Sequence, residues 1–207
     1  FPWMRSKEKD IDTELFMKVA GMRFSQDLPY FDPLSADARK VLELYPHPGI
    51  HISYEASKNP QLIESEVEFL SHIAGEKITK SRHHYLASLH PSDFRYLINA
   101  GITDDYTMGY ADEVGFRLGT SRPVRWIDPD TMEVTQLTLH PLIVMDKTLY
   151  DPRYMHLGFD DACNTIEDLR KITEEFGGEF VTLWHNSEVS TISGSYARKL
   201  FEQICTK

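Results

Sequence analysis

Gly49-Ile50-His51-Ile52-Ser53-Tyr54, a helical stretch from Asn59 to Ala74, and Lys77-Ile78-Thr79-Lys80-Ser81-Arg82-His83-His84-Tyr85 read in order as strand, helix and strand. Between the two apolar runs, Leu62, Ile63, Val67, Leu70 and Ile73 recur at helical spacing and give that segment one apolar face. Asn59 is its expected N-cap, Pro60 its first helical residue and Gly75 its C-cap. Strands joined through such a helix belong to a mostly parallel sheet or barrel.

The same alternation extends outward. Upstream, Leu15, Val19 and Met22 predict one stripe of a helix over Ile11 to Met22. Ser35 is a plausible N-cap for a helix over Ala36 to Leu44, which Pro46 and Pro48 close. Downstream, a helix from Pro91 to Asn99 closes at Gly101, and a strand over Ile102 to Gly109 follows. A less regular region, Phe116 to Leu149, holds β-rich runs at Pro123 to Ile127 and Val134 to Val144, with a turn at Asp128-Pro129-Asp130. A helix over Phe159 to Phe176 ends at Gly177-Gly178, a strand over Glu179 to His185 follows, and a last helix runs from about Gly194 to Ile204. Without an internal repeat, linker or low-complexity segment, the expectation is one α/β domain over residues 1–207.

Composition narrows the function classes. Acidic residues number 32 against 22 basic, a net charge of −10, and no basic run marks a nucleic-acid surface. No apolar stretch approaches the ~18 residues of a membrane span. Cys163 and Cys205 lie far apart in helical segments, so they form neither a metal knuckle nor a disulfide framework. They point to a reducing compartment and a cytoplasmic protein. The chain opens at Phe1-Pro2-Trp3 without methionine, so its start is expected to be missing.

Histidines stand at the ends of three apolar runs: His51, the pair His83 and His84, and His185 after Phe180-Val181-Thr182-Leu183-Trp184. C-terminal ends of parallel strands share one rim, and imidazoles meeting there suit a metal site or acid–base chemistry. Against this stands the reading of each as a structural histidine bonded to backbone. Alternation sends one of His83 and His84 inward. His47, His72, His90, His140 and His156 read as surface or capping residues. Arg82 on the rim needs a carboxylate to compensate it, and Asp104 or Asp105 at a strand end can serve or simply be solvated. Trp126 and Trp184 read as core aromatics.

These runs form an ordered set with Ser81-Arg82-His83-His84-Tyr85-Leu86, with Gly101-Ile102-Thr103-Asp104-Asp105-Tyr106-Thr107-Met108-Gly109-Tyr110-Ala111-Asp112, with Gly115-Phe116-Arg117-Leu118-Gly119-Thr120, and with Leu183-Trp184-His185-Asn186. The series resembles a branch of bacterial polysaccharide deacetylase-like proteins, the NodB-homology fold of carbohydrate esterase family four, from about residue 40 to 190. The resemblance implies a distorted (β/α) barrel, here expected to lack its first strand, with a divalent metal, zinc, near the rim. His51 matches the first ligand histidine. The second ligand position, four residues on, holds Glu55, and His84 is the preferred substitute. Arg82 matches the arginine that orients the base, and His185 the late histidine that acts as general acid. The family's aspartate pair is expected upstream of Phe1. Asp105 matches the family's acidic-aromatic step and is the carboxylate that would replace the base or hold Arg82. Gly158-Phe159-Asp160-Asp161 mimics the aspartate motif, but no apolar strand precedes it, and two carboxylates suit a helix N-terminus. The expected activity is metal-dependent removal of an N-acetyl or O-acetyl group from a bacterial polysaccharide or amino sugar. The alternative is an inactive barrel that binds carbohydrate or serves as a scaffold.

Overall fold

The computed structural model describes residues 1–8, 11–20, 23–28, 31–88, 90–189 and 195–205. In chain order they form α1 (Pro2–Lys7), β1 (Phe16–Met17), α2 (Ala36–Leu44), β2 (Gly49–Ile52), α3 (Tyr54–Lys58), α4 (Leu62–Ala74), β3 (Lys80–His83), α5 (Phe94–Asn99), β4 (Asp104–Asp105), β5 (Val124–Ile127), β6 (Val134–Leu139), β7 (Leu142–Met145), α6 (Asp146–Tyr150), α7 (Phe159–Glu175), β8 (Val181–Leu183) and α8 (Ser195–Cys205). The class is mixed α/β with a mostly parallel central sheet. Its contacts gather into two compact units, each built from separated pieces of chain.

One unit comprises Glu14–Thr107 and Val124–His140. It holds a six-stranded sheet in the order β1-β2-β3-β4-β6-β5, parallel except for β5, which runs antiparallel to β6. Register divides the side chains between two faces. Met17, Ile50, Ile52, Ser81, His83, Asp105 and Leu139 lie on one, and all are buried. Gly49, Phe16, His51, Lys80, Arg82, Asp104 and Thr138 lie on the other, where polar and aromatic groups dominate. The other unit comprises Phe1–Thr13, Met108–Pro123 and Pro141–Lys207. There β7 and β8 form a parallel pair, and Ile143, Val144, Leu149, Ala162, Ile166 and Leu200 build a core with α7 and α8.

Local signals behave as expected where the chain alone decides them. Ser35 Oγ accepts the Ala38 N–H at 3.1 Å to cap α2, Gly75 closes α4 at φ 73°, and Asp160 and Asp161 open α7. Gly194, the expected start of the last helix, and Met22 of the first lie outside the described residues. Four expectations need correction. Residues Phe16–Met17 are a strand, not part of a helix, because they pair with Gly49 and Ile50 and the Leu15 carbonyl takes the Gly49 N–H at 2.7 Å. Gly49 is required there, since a Cβ would lie 2.6 Å from the Phe16 ring. The long strand expected from Ile102 shrinks to Asp104–Asp105, whose side chains turn to other hydrogen bonds. The run Val134 to Val144 breaks at Pro141, which cannot donate to a ladder, and its halves enter different sheets. Finally, α4 begins at Leu62 with Gln61 at its cap, without a side-chain capping bond from Asn59.

Candidate functional site

Both ligand histidines expected from the sequence lie in the six-stranded unit. His51 is the third residue of β2, and His84 follows β3 in a short 3-10 turn. Their rings meet edge to face, with centroids 4.9 Å apart. The His51 Nδ1–H donates to the Arg82 carbonyl at 2.9 Å, and His84 Nδ1 pairs with Asp27 Oδ1 at 2.8 Å. Each Nδ1 thus has a partner in the protein, an arrangement also found around metal-binding histidines.

Asp27 organises this cluster. Its side chain is fully buried, and besides His84 it accepts the N–H groups of Tyr54 at 2.8 Å and Glu55 at 3.0 Å. Those are the first two residues of α3, whose early N–H groups need acceptors. Ser53 completes the cap, its Oγ accepting the Ala56 N–H at 3.0 Å, and Ser53 in turn donates its N–H and Oγ–H to Glu66 of α4. Lys18 stands 3.9 Å from the Asp27 carboxylate, and burial lowers its pKa against the pull of Asp27. Burial raises the pKa of Glu66, opposed by the bonds from Ser53. One carboxylate thus ties the end of β2 to the end of β3. Asp27 escapes sequence reading because it sits in a 3-10 turn without periodic or capping signals in its own neighbourhood.

Arg82 projects on the same face as His51. Its guanidinium lies over Phe16 at 4.5 Å and Tyr106 at 5.8 Å, and its Nε donates to the Tyr106 carbonyl at 3.1 Å. Burial lowers its pKa to about 10, against the pull of Asp105 and Tyr106. Among the described residues no carboxylate forms an ion pair with it. Asp105, expected to hold Arg82 or replace the base, instead faces the opposite side of the sheet. There it accepts from Ser81 Oγ at 2.7 Å and from the Thr107 N–H and Oγ at 3.0 and 2.9 Å. This network also reaches His83, whose N–H donates to Thr107 Oγ1 at 3.0 Å and whose pKa burial lowers against the pull of Asp105. Asp105 is therefore a structural residue of the buried face, because alternation from Asp104 puts it there. His140, read as surface or capping, stacks flat on Tyr106 at 4.2 Å and pairs with Asp104 at 3.0 Å.

Glu55 opens α3 and forms an ion pair with Arg23 at 3.7 Å. Among the described residues, no three His, Cys, Asp or Glu side chains form a group able to hold a metal. His51 and His84 alone fall short of such a group, and Glu55 does not complete them as a third donor.

His185 belongs to the other unit, just after β8. Asp146, fully buried at the end of β7 and the start of α6, receives both its Nδ1 and its backbone N–H at 2.7 Å. Lys147 donates its own N–H to the same carboxylate at 2.7 Å. A carboxylate on Nδ1 orients the ring and leaves Nε2 to exchange a proton. The signal for Asp146 was available: a lone acid closes the apolar run Leu142-Ile143-Val144-Met145. Trp184 is a core aromatic as expected, 5.3 Å from Phe201. Trp126 packs against Phe94. Comparison with family models, curated proteins and solved structures found no match to this chain. No described helix is long and apolar enough to cross a membrane.

Proposed function

We propose that the chain is a metal-dependent deacetylase acting on an N-acetylated or O-acetylated bacterial polysaccharide or amino sugar. In this reading the parallel sheet is part of a distorted (β/α) barrel of the NodB-homology type. The observation that carries it is the meeting of His51 and His84 at adjacent strand ends, with both Nδ1 atoms committed to protein groups. These two residues would hold a divalent metal, zinc by the softness of the donors. Bound there, it would supply Lewis acidity toward the acyl carbonyl and toward water. In the other unit His185, oriented by Asp146, is by itself the candidate for a proton-transfer role through Nε2. Arg82, clasped by two aromatic rings, would hold the catalytic aspartate that the resemblance puts upstream of Phe1.

The second reading is an inactive member of this class that binds acetylated glycans. The incomplete donor group among the described residues favours it. Acetate release from acetylated chito-oligosaccharides separates the two. The enzyme reading expects turnover that a chelator abolishes and zinc restores. Binding of the same sugars with no acetate released by the metal-loaded chain, nor by a version extended upstream of Phe1, selects the second reading.

A further inference from the structure

Next to the two histidines lies an aromatic surface that neither the metal ligands nor the proton-transfer residues require. Tyr85 directly follows His84 and is 58% exposed, although its ring packs 4.8 Å from the His84 ring. It also meets Tyr54 edge-on at 6.0 Å, and Tyr54 meets Phe24 at 5.9 Å and carries Lys58 Nζ 5.3 Å over its ring. Phe24 and Lys58 line a cavity of about 550 Å³ together with Arg23, Glu55 and Asn59, within the ~300–1,000 Å³ of small-ligand pockets. Tyr85 adopts φ 58° and Leu86 φ 51°. Two consecutive side-chain-bearing residues in the left-handed region oppose folding, and such strain persists where surrounding structure serves a site. Here it turns an aromatic ring outward beside His84, at a position where glycine would be relaxed.

We propose that Tyr85, with Tyr54, is a stacking platform for a sugar ring adjacent to the acetylated unit. The neighbouring cavity would take the next ring of the glycan. The inference rests on the carbohydrate reading above and sharpens it: the substrate is an oligomer, recognised beyond the residue that is cleaved. An aromatic face covers the C–H face of a pyranose, while Asn59, Glu55, Lys58 and Arg23 offer donors and acceptors to its hydroxyl groups.

Calorimetric titration of the full chain with chitotetraose and chitobiose, both N-acetylated, tests this against Tyr85→Phe and Tyr85→Gly. Wild type binds the tetramer more tightly than the dimer, and Tyr85→Phe keeps that preference. Tyr85→Gly weakens tetramer binding about tenfold, yet melts at or above the wild-type temperature because glycine relieves the positive φ. A merely structural tyrosine would lose stability with its packing, so loss of melting temperature together with unchanged affinity overturns the proposal. Tetramer binding by Tyr85→Gly equal to wild type overturns it while leaving the deacetylase reading intact. Failure of wild type to bind either sugar removes the carbohydrate reading itself.

Discussion

Among the described residues two buried aspartates are each bonded to an imidazole Nδ1, and they are alike in little else. Asp146 pairs with His185 at 2.7 Å, Asp27 with His84 at 2.8 Å, and both carboxylates are fully buried. Asp146 spends its remaining bonds on His185 itself and on Lys147, its own neighbour. Asp27 spends them on the first turn of α3, 27 and 28 residues along the chain. The first carboxylate serves one imidazole. The second is a structural clamp that also orients one, so the two should fail differently when removed.

The largest expected effect is on turnover. Asp146→Asn retains the shape of the pair but cannot hold the ring through the same charge-assisted bond, and kcat/KM on acetylated chito-oligosaccharide should fall ~10²–10⁴-fold. Both carboxylate oxygens accept N–H groups, so the asparagine amide nitrogen must face a donor and stability should fall by ~1–3 kcal/mol, less than for Asp27→Ala. Unchanged turnover would remove His185 from the proton-transfer role.

Stability should respond most to the other pair. Asp27→Ala removes the acceptor of two helix N–H groups and one imidazole and the partner of Lys18, at a cost of ~3–5 kcal/mol in urea unfolding. A loss under ~1 kcal/mol would mean that α3 is capped by Ser53 alone, and the contrast between the two aspartates would collapse.

Metal affinity sharpens the contrast further. Asp27→Asn should weaken zinc binding ~10–100-fold, the usual effect of an altered outer-shell partner. Asp146→Asn should leave it unchanged. Competition with a zinc-sensitive dye measures both, and equal losses in the two variants would contradict the assignment of the metal to His51 and His84.

The smallest effect concerns pH. Burial raises the Glu66 pKa, so the folded chain binds that proton more tightly than the unfolded one. Glu66 therefore contributes stability that is present below the unfolded carboxylate pKa and lost as pH rises through the higher folded value. Subtracting the stability–pH curve of Glu66→Gln from that of wild type should leave a downward slope just above the ordinary carboxylate range. A flat difference would place Glu66 in water.

What sequence reading could reach divides along the same line as the two aspartates. Ser35, Gly75 and Gly101 act on the turn they occupy, so their neighbours suffice to read them. His51, His84, Arg82 and His185 were legible as polar groups closing apolar runs, and so in principle was Asp146. Residues Phe16–Met17 looked helical because spacing alone carries no record of a partner strand 33 positions away. Asp27 was invisible for a related reason: the groups that need it lie in α3 and after β3. Asp105 was placed beside Arg82 because its face depends on pairing with Ser81, 24 positions away, which the structure shows through the bonds from Ser81 and Thr107.

The sheet order carries a consequence for biosynthesis. The outer edge of β4 is covered by β6, whose residues Thr138 and Leu139 pair with Asp104 and Asp105. During translation at ~5–20 residues per second, the nascent chain waits roughly 2–7 s between making β4 and making its neighbour. Throughout that interval β4 is an open edge, able to recruit any extended segment within reach. Pairing is also non-local, so closure pays loop entropy before contacts reward it. A nascent chain whose Leu139 is still inside the ribosome, with β4 already outside, should bind chaperones and be cut by proteases, and emergence of Leu139 should protect the six-stranded unit in one step.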